Sequence, residues 1–232
     1  MKRVLQFKTI LVLLLLQAFV IASNGSIKGK YKKEKTYHKE YDVNSNALVK
    51  LKNSYGNMDI VTWNENRVVI DITITTSGNS EEKVQKKLDD IFVEFENNSN
   101  LVSAKTRFSK SGKSWWNWGK SSVNMNINYV VKMPISNSVD LNNDYGSINV
   151  DKLEGHAKIN CDYGKITTKE LLADNNNISF DYTNNSYFEY ISIGEINADY
   201  SGFTVGQTKE LHIYADYSKS KVEVAENVTY NC

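Results

Sequence analysis

Asp144-Tyr145-Gly146 returns as Asp162-Tyr163-Gly164, Asp181-Tyr182, Asp199-Tyr200 and Asp216-Tyr217, inside a stretch that runs from Val139 to Cys232. The tyrosines step by 18, 19, 18 and 17 residues. A near-constant step this short predicts stacked units, each too small to bury its own apolar face. Apolar or small residues fall six, four and two places before each tyrosine and three and five places after it. In the first unit these are Val139, Leu141, Asn143, Ile148 and Val150; in the second, Ala157, Ile159, Cys161, Ile166 and Thr168. Alternation with period two means strand with one face inward. The phase resets at the tyrosine, so each unit reads strand, corner, strand. Gly146 and Gly164 suit a corner with positive φ, although Thr183 and Ser201 stand in the same place later.

Two short strands per step fit a parallel β-solenoid of about five short coils, each advancing about 4.8 Å. A meander of antiparallel hairpins would mirror the pattern between neighbours, whereas the order here is the same each time. An earlier copy, Val49, Leu51, Asn53, Tyr55-Gly56, Met58 and Ile60, opens the N-terminal part with Ser54 in place of the aspartate.

Outward from the repeats, the chain divides into four expected segments. Residues 1–22 read as a cleaved secretory signal: Lys2, Arg3 and Lys8 precede an apolar run from Ile10 to Ala22, with Val20 and Ala22 at the cleavage positions. Its loss leaves 25 basic against 27 acidic side chains, a net charge of −2, which gives no electrostatic case for nucleic acid. Residues 23–40 read as a basic tail entering a strand near Tyr41. Residues 41–134 read as a β module with a strand from Arg67 to Thr75 and the one expected helix, near 81–90. Ser80 caps that helix, Glu81 and Glu82 sit in its first turn, and Val84, Leu88 and Ile91 follow at helical spacing. A hairpin turns around Asn97-Asn98-Ser99-Asn100, and Pro134 closes the module. Residues 135–232 are the solenoid. The fold class is therefore all-β.

The order of strand, Asn53-Ser54-Tyr55-Gly56-Asn57-Met58, Trp63, strand, short helix, hairpin, Met133-Pro134 and repeated Asp-Tyr-Gly resembles the bacterial putative-adhesin family. That group of unknown function is akin to the head-GIN domains of Bacteroidetes envelope proteins. The resemblance spans about Tyr41 to Cys232 and implies an exported β-solenoid that carries no catalytic residues. Val228, Tyr230 and Cys232 match the inward positions before a further tyrosine, so the chain is expected to be a fragment or to end on an uncapped coil open to self-pairing.

Several residues could carry function. The aspartates Asp144, Asp162, Asp181, Asp199 and Asp216 would line one corner, either capping turns as Asx residues do or forming a Ca²⁺ ladder. Tyr145, Tyr163, Tyr182, Tyr200 and Tyr217 would stack, either as a structural ladder or as an aromatic track for a glycan or extended polymer. Trp115, Trp116 and Trp118 lie in a Ser/Gly/Lys loop, either folded back on the module or suited to sugar stacking or a membrane interface. Cys161 and Cys232 occupy the same inward place four coils apart, about 19 Å, beyond the ~7 Å reach of a disulfide. His38, His156 and His212 are isolated, and no nucleophile elbow, phosphate loop or dinucleotide fingerprint occurs. The reading is a non-enzymatic exported protein without a cofactor, in the periplasm, on the outer membrane surface or outside the cell. It would bind a glycan or cell-surface polymer or scaffold the envelope. The rivals are a polysaccharide-active β-helix enzyme and a purely structural envelope component.

Overall fold

The computed structural model describes residues 29–109 and 122–231. The signal segment, Trp115, Trp116, Trp118 and Cys232 lie outside the described residues.

The fold is all-β: one mixed, nearly closed, barrel-like sheet of 15 strands with a single short helix among the described residues. Two ladders carry the repeats. The first stacks β2 (Leu48–Ser54), β8 (Ser138–Asp144), β10 (Ala157–Asp162), β12 (Asn176–Asp181) and the second halves of β13 (Ser186–Asp199) and β14 (Gly202–Asp216), all parallel. The second ladder begins after each tyrosine. It stacks β3 (Met58–Trp63), β9 (Ser147–Val150), β11 (Lys165–Leu171) and the first halves of β13 and β14, again parallel. β15 (Lys219–Asn231) continues both ladders.

Residues one period apart are direct partners: Val139 with Ala157, Leu141 with Ile159, Asp144 with Asp162, Asp162 with Asp181. An antiparallel meander is thereby excluded for the repeats. The alternating positions point inward as their spacing demands. Val139, Leu141, Ile148, Ile159, Ile166, Ile178, Ile196 and Ile213 are all buried, and each such side chain contributes about 2 kcal/mol of transfer free energy.

The rest of the sheet differs from an all-parallel stack. β4 (Arg67–Gly78) runs antiparallel to both β1 (Tyr31–Asp42) and β7 (Val123–Pro134), and β7 joins β3 in parallel. β5 (Ile91–Asn98) is antiparallel to β6 (Leu101–Phe108), which joins β2 in parallel. The N-terminal part shares its sheet with the repeats. β2 pairs β8 and β3 pairs β9 across the Pro134 junction, and one core runs through both parts.

Residues 31–42 form a strand where a basic tail was expected. Tyrosines and lysines share the odd-numbered face of this segment. Tyr37 and Tyr41 pack on the core, while Lys35 Nζ donates to the carbonyl oxygens of Leu88 and Ile91, at 3.2 and 2.6 Å. Lysine stems can lie over apolar surface with the charge led out to acceptors, so an inward face rich in lysine still makes a strand. Helix α1 (Glu81–Asp89) begins at Ser80, whose hydroxyl accepts from the Lys83 amide, and buries Val84 and Leu88.

Candidate functional site: a tyrosine ridge beside an aspartate column

The corner between the two ladders is built by tyrosine. Tyr55, Tyr145, Tyr163, Tyr182, Tyr200 and Tyr217 hold φ of 66, 59, 55, 52, 50 and 51°. A left-handed backbone costs a non-glycine residue about 1 kcal/mol. The corner glycines were expected to take this conformation, and they do not. Gly146 and Gly164 are required for a different reason: a Cβ at either would run into the carbonyl oxygen of the preceding repeat, Gly56 and Gly146 respectively. Where Ser replaces Gly, the hydroxyl compensates. Ser201 Oγ accepts from the Thr183 amide at 3.1 Å and donates to the Asp199 carbonyl at 2.8 Å.

Register then aligns the rings. Successive centroids lie 5.2, 5.1, 5.0, 5.2 and 5.0 Å apart from Tyr55 to Tyr217, and no pair of planes is tilted by more than 8°. Each stacked pair contributes roughly 0.5–1.5 kcal/mol, about what each left-handed residue costs. The backbone locks the ladder as well: the amides of Tyr145, Tyr163 and Tyr182 donate to the carbonyls of Asp162, Asp181 and Asp199 at 2.9, 3.0 and 3.1 Å.

Tyr145, Tyr163, Tyr182 and Tyr200 remain 49–53% exposed and Tyr217 83%. Their faces, however, cover one another. The ridge therefore presents ring edges and phenol hydroxyls in a row. Tyr217 alone has a face free of a stacked neighbour among the described residues, since Tyr55 meets Phe108 edge-on at 6.2 Å. Tyr55 belongs to this ridge although the sequence reading placed it only as an outlying copy of the motif. Its Asn53-Ser54-Tyr55-Gly56 run was the available signal.

The aspartates stand in a column one residue before the ridge. They do not cap their own turns. Three of them reach across to the next repeat: Asp162 Oδ1 accepts from the Asp181 amide at 3.2 Å, Asp181 from Asp199 at 3.2 Å and Asp199 from Asp216 at 3.3 Å. Asp144 accepts from the Ser54 hydroxyl at 3.2 Å. Burial, opposed by the amide of Asp181, raises the carboxyl of Asp162 above the usual range. The carboxylates run in file, and among the described residues no group of three or more His, Cys, Asp or Glu converges as a metal cluster.

Two shallow concavities flank the ridge at Tyr200 and Tyr217. One, of about 500 Å³, is lined by Ser179, Asp181, Asn197, Asp199, Tyr214 and Asp216. The other, of about 310 Å³, is lined by Asn184, Asn185, Gly202, Thr204, Lys219 and Lys221. An acidic trough thus precedes the corner and a basic one follows it. Cys161 is buried in the core beneath the column, and burial pushes its thiol up to about 12. No helix among the described residues is long and apolar enough to cross a membrane.

No protein-family model and no curated protein sequence matches the chain. Solved structures with a similar arrangement include a putative cell adhesion protein from Clostridium sporogenes, at 13% identity and TM-score 0.40, covering 86% of this chain and 100% of that one. A putative adhesin from Bacteroides fragilis matches at 10% identity and TM-score 0.34, over 85% of this chain and 97% of that one. A putative lipid binding protein from Parabacteroides distasonis matches at 10% identity and TM-score 0.28, over 85% and 97%. At these scores no family and no function follows from the likeness.

Proposed function

We propose that this chain is an exported, non-catalytic surface protein whose repeats form a short parallel β-solenoid and whose tyrosine ridge binds a linear glycan or cell-surface polymer. The parallel in-register pairing of the repeats supports the solenoid reading, with the antiparallel strands at the other end acting as its cap. The observation that carries the binding role is the ridge itself: five stacked, exposed phenols from Tyr145 to Tyr217, each held in a strained backbone. Glycine or asparagine would turn the same corner at lower cost. Tyrosine there adds a straight file of hydroxyls beside a file of carboxylate oxygens, at the spacing of the strands. Such a surface engages a polymer by a row of hydrogen bonds, with face stacking reserved for Tyr217.

The test removes hydroxyls and keeps rings. Mature chain 23–232 with Tyr145→Phe, Tyr163→Phe and Tyr182→Phe together is screened against a glycan panel and whole bacterial cells. Loss of three hydrogen bonds should weaken binding at least about tenfold. Unchanged binding by the triple variant removes the ridge from the reading. Trp115→Ala, Trp116→Ala and Trp118→Ala, made together, test the tryptophan loop in the same screen. The metal reading of Asp144, Asp162, Asp181, Asp199 and Asp216 is tested by thermal melting with calcium against chelator; equal Tm values in the two remove it.

A further inference from the structure

The phenol ridge runs beside carboxylates that the fold leaves without counter-charge. From Tyr145 to Tyr200 the rings are preceded by Asp144, Asp162, Asp181 and Asp199, and Lys165 is the only lysine or arginine within three residues of any of these tyrosines. Register sets each aspartate directly opposite the next, and like charges so placed repel. Burial comes first among the causes that raise the Asp162 carboxyl, and the charges of Asp181 and Asp144 add to it. Acids elsewhere in the same repeats are paired with lysine: Asp140 with Lys50 at 2.8 Å, Asp151 with Lys169 at 2.7 Å and Glu170 with Lys152 at 2.8 Å. No ion pair among the described residues reaches the four aspartates beside the ridge. Asp162, Asp181 and Asp199 each commit Oδ1 to the amide of the next repeat, which leaves Oδ2 for a ligand.

Charge and spacing together select the ligand. The ring faces are covered by their stacked neighbours, so the half-exposed phenols offer oxygen atoms in a straight file. A protonated amine donates to phenol oxygen and to carboxylate alike, and the charged hydrogen bond is the stronger kind. An anionic or neutral polymer gains nothing from the carboxylates. An extended polypeptide falls out of step: its same-side residues recur about every 6.8 Å, against ring centroids 5.0–5.2 Å apart. A pyranose with its linkage is about as long as one strand spacing, so a sugar chain laid along the ridge keeps step with it. In a β-1,4 chain alternate sugars face opposite ways, and every second amine meets the carboxylates.

We propose that the ridge selects an amine-bearing, cationic polysaccharide, with the phenols of Tyr145, Tyr163, Tyr182 and Tyr200 and the carboxylates of Asp144, Asp162, Asp181 and Asp199 sharing its ammonium groups. This rests on the polymer-binding reading of the ridge and adds the charge of the polymer. Two probes differ in charge alone: the β-1,4 hexamer of glucosamine and that of N-acetylglucosamine. Calorimetric titration of mature chain 23–232 at about pH 6, above the carboxylate range and below that of an alkyl amine, should show the glucosamine hexamer bound at least about tenfold tighter. Asp162→Asn, Asp181→Asn and Asp199→Asn together should abolish that preference. Asparagine Oδ1 still accepts from the next amide, and circular dichroism checks that the fold is kept. The unaltered chain supplies a second measure: about 0.5 M sodium chloride should weaken the glucosamine hexamer selectively. Equal affinity for the two hexamers, a preference that survives the asparagine triple variant or high salt, or no binding of the glucosamine hexamer overturns the proposal. Equal affinities that Tyr145→Phe, Tyr163→Phe and Tyr182→Phe together lower alike would overturn the charge selection and leave the polymer reading standing.

Discussion

Tyr163 shows how one residue type serves two opposed demands. Its left-handed backbone favours glycine, while its position between Tyr145 and Tyr182 favours a ring. Replacement by alanine removes both stacking contacts and keeps the strain; glycine removes the contacts and the strain together. Tyr163→Ala should therefore be the more destabilising of the two by about 1 kcal/mol, the reverse of the usual order in a β-sheet. Urea unfolding of the pair measures it, and a glycine variant less stable than the alanine one would contradict the strain. Gly164→Ala makes a separate point. Its Cβ meets backbone oxygen of Gly146 and sulfur of Cys161, and neither can give way cheaply. The expected loss is roughly 3 kcal/mol. The inward residues were legible because period two holds within the strands, except after Tyr182, where the chain slips by one and buries Ser186 and Phe188 while Asn185 and Tyr187 are exposed. The backbone of the corner was not, because glycine beside tyrosine draws the expectation of positive φ to the wrong residue.

At the scale of the element, β1 was the strand least visible in the sequence. Tyr31, Lys33, Lys35, Tyr37, Lys39 and Tyr41 share one face, and three lysines there mask the apolar pattern. What the pattern hides is the second use of Lys35, which satisfies carbonyls at the end of α1 and the start of β5. Positive charge at a helix C-terminus is favourable, and losing it leaves two partly buried carbonyls without this donor. Lys35→Met keeps the stem and should cost about 1–2 kcal/mol in thermal or urea unfolding; a neutral result would show that water replaces the ammonium. On the other face of β1, His38 stands opposite Asp71. Its Nδ1 lies 2.6 Å from Asp71 Oδ1 and its Nε2 3.1 Å from Glu40 Oε1. The hydrogen bond to Asp71 first, and that to Glu40 second, raise the imidazole above its usual 6.5. A raised value means stabilisation fully present below about pH 6.5 and lost as pH climbs through the folded value. An NMR titration should place the His38 midpoint above 6.5 and move it down in Asp71→Asn. A midpoint already at or below the usual value would remove the pair from the account.

Across the whole molecule, stability should be graded along the stack. Every repeat between β2 and β14 has a neighbour on each side, so Ile159 is enclosed by Leu141 below and Ile178 above. β15 is supported by β14 alone, and Val228 covers Leu211 while nothing among the described strands covers Val228. In a stacked array the local free energy of opening is set by the neighbours a unit touches. Removing side-chain volume should therefore cost about 3 kcal/mol in Ile159→Ala, against under about 1 kcal/mol in Val228→Ala. Amide exchange should follow the same gradient. β15 should exchange first, β14 next, and β8 and β10 last. Uniform protection from β8 to β15 would overturn this grading.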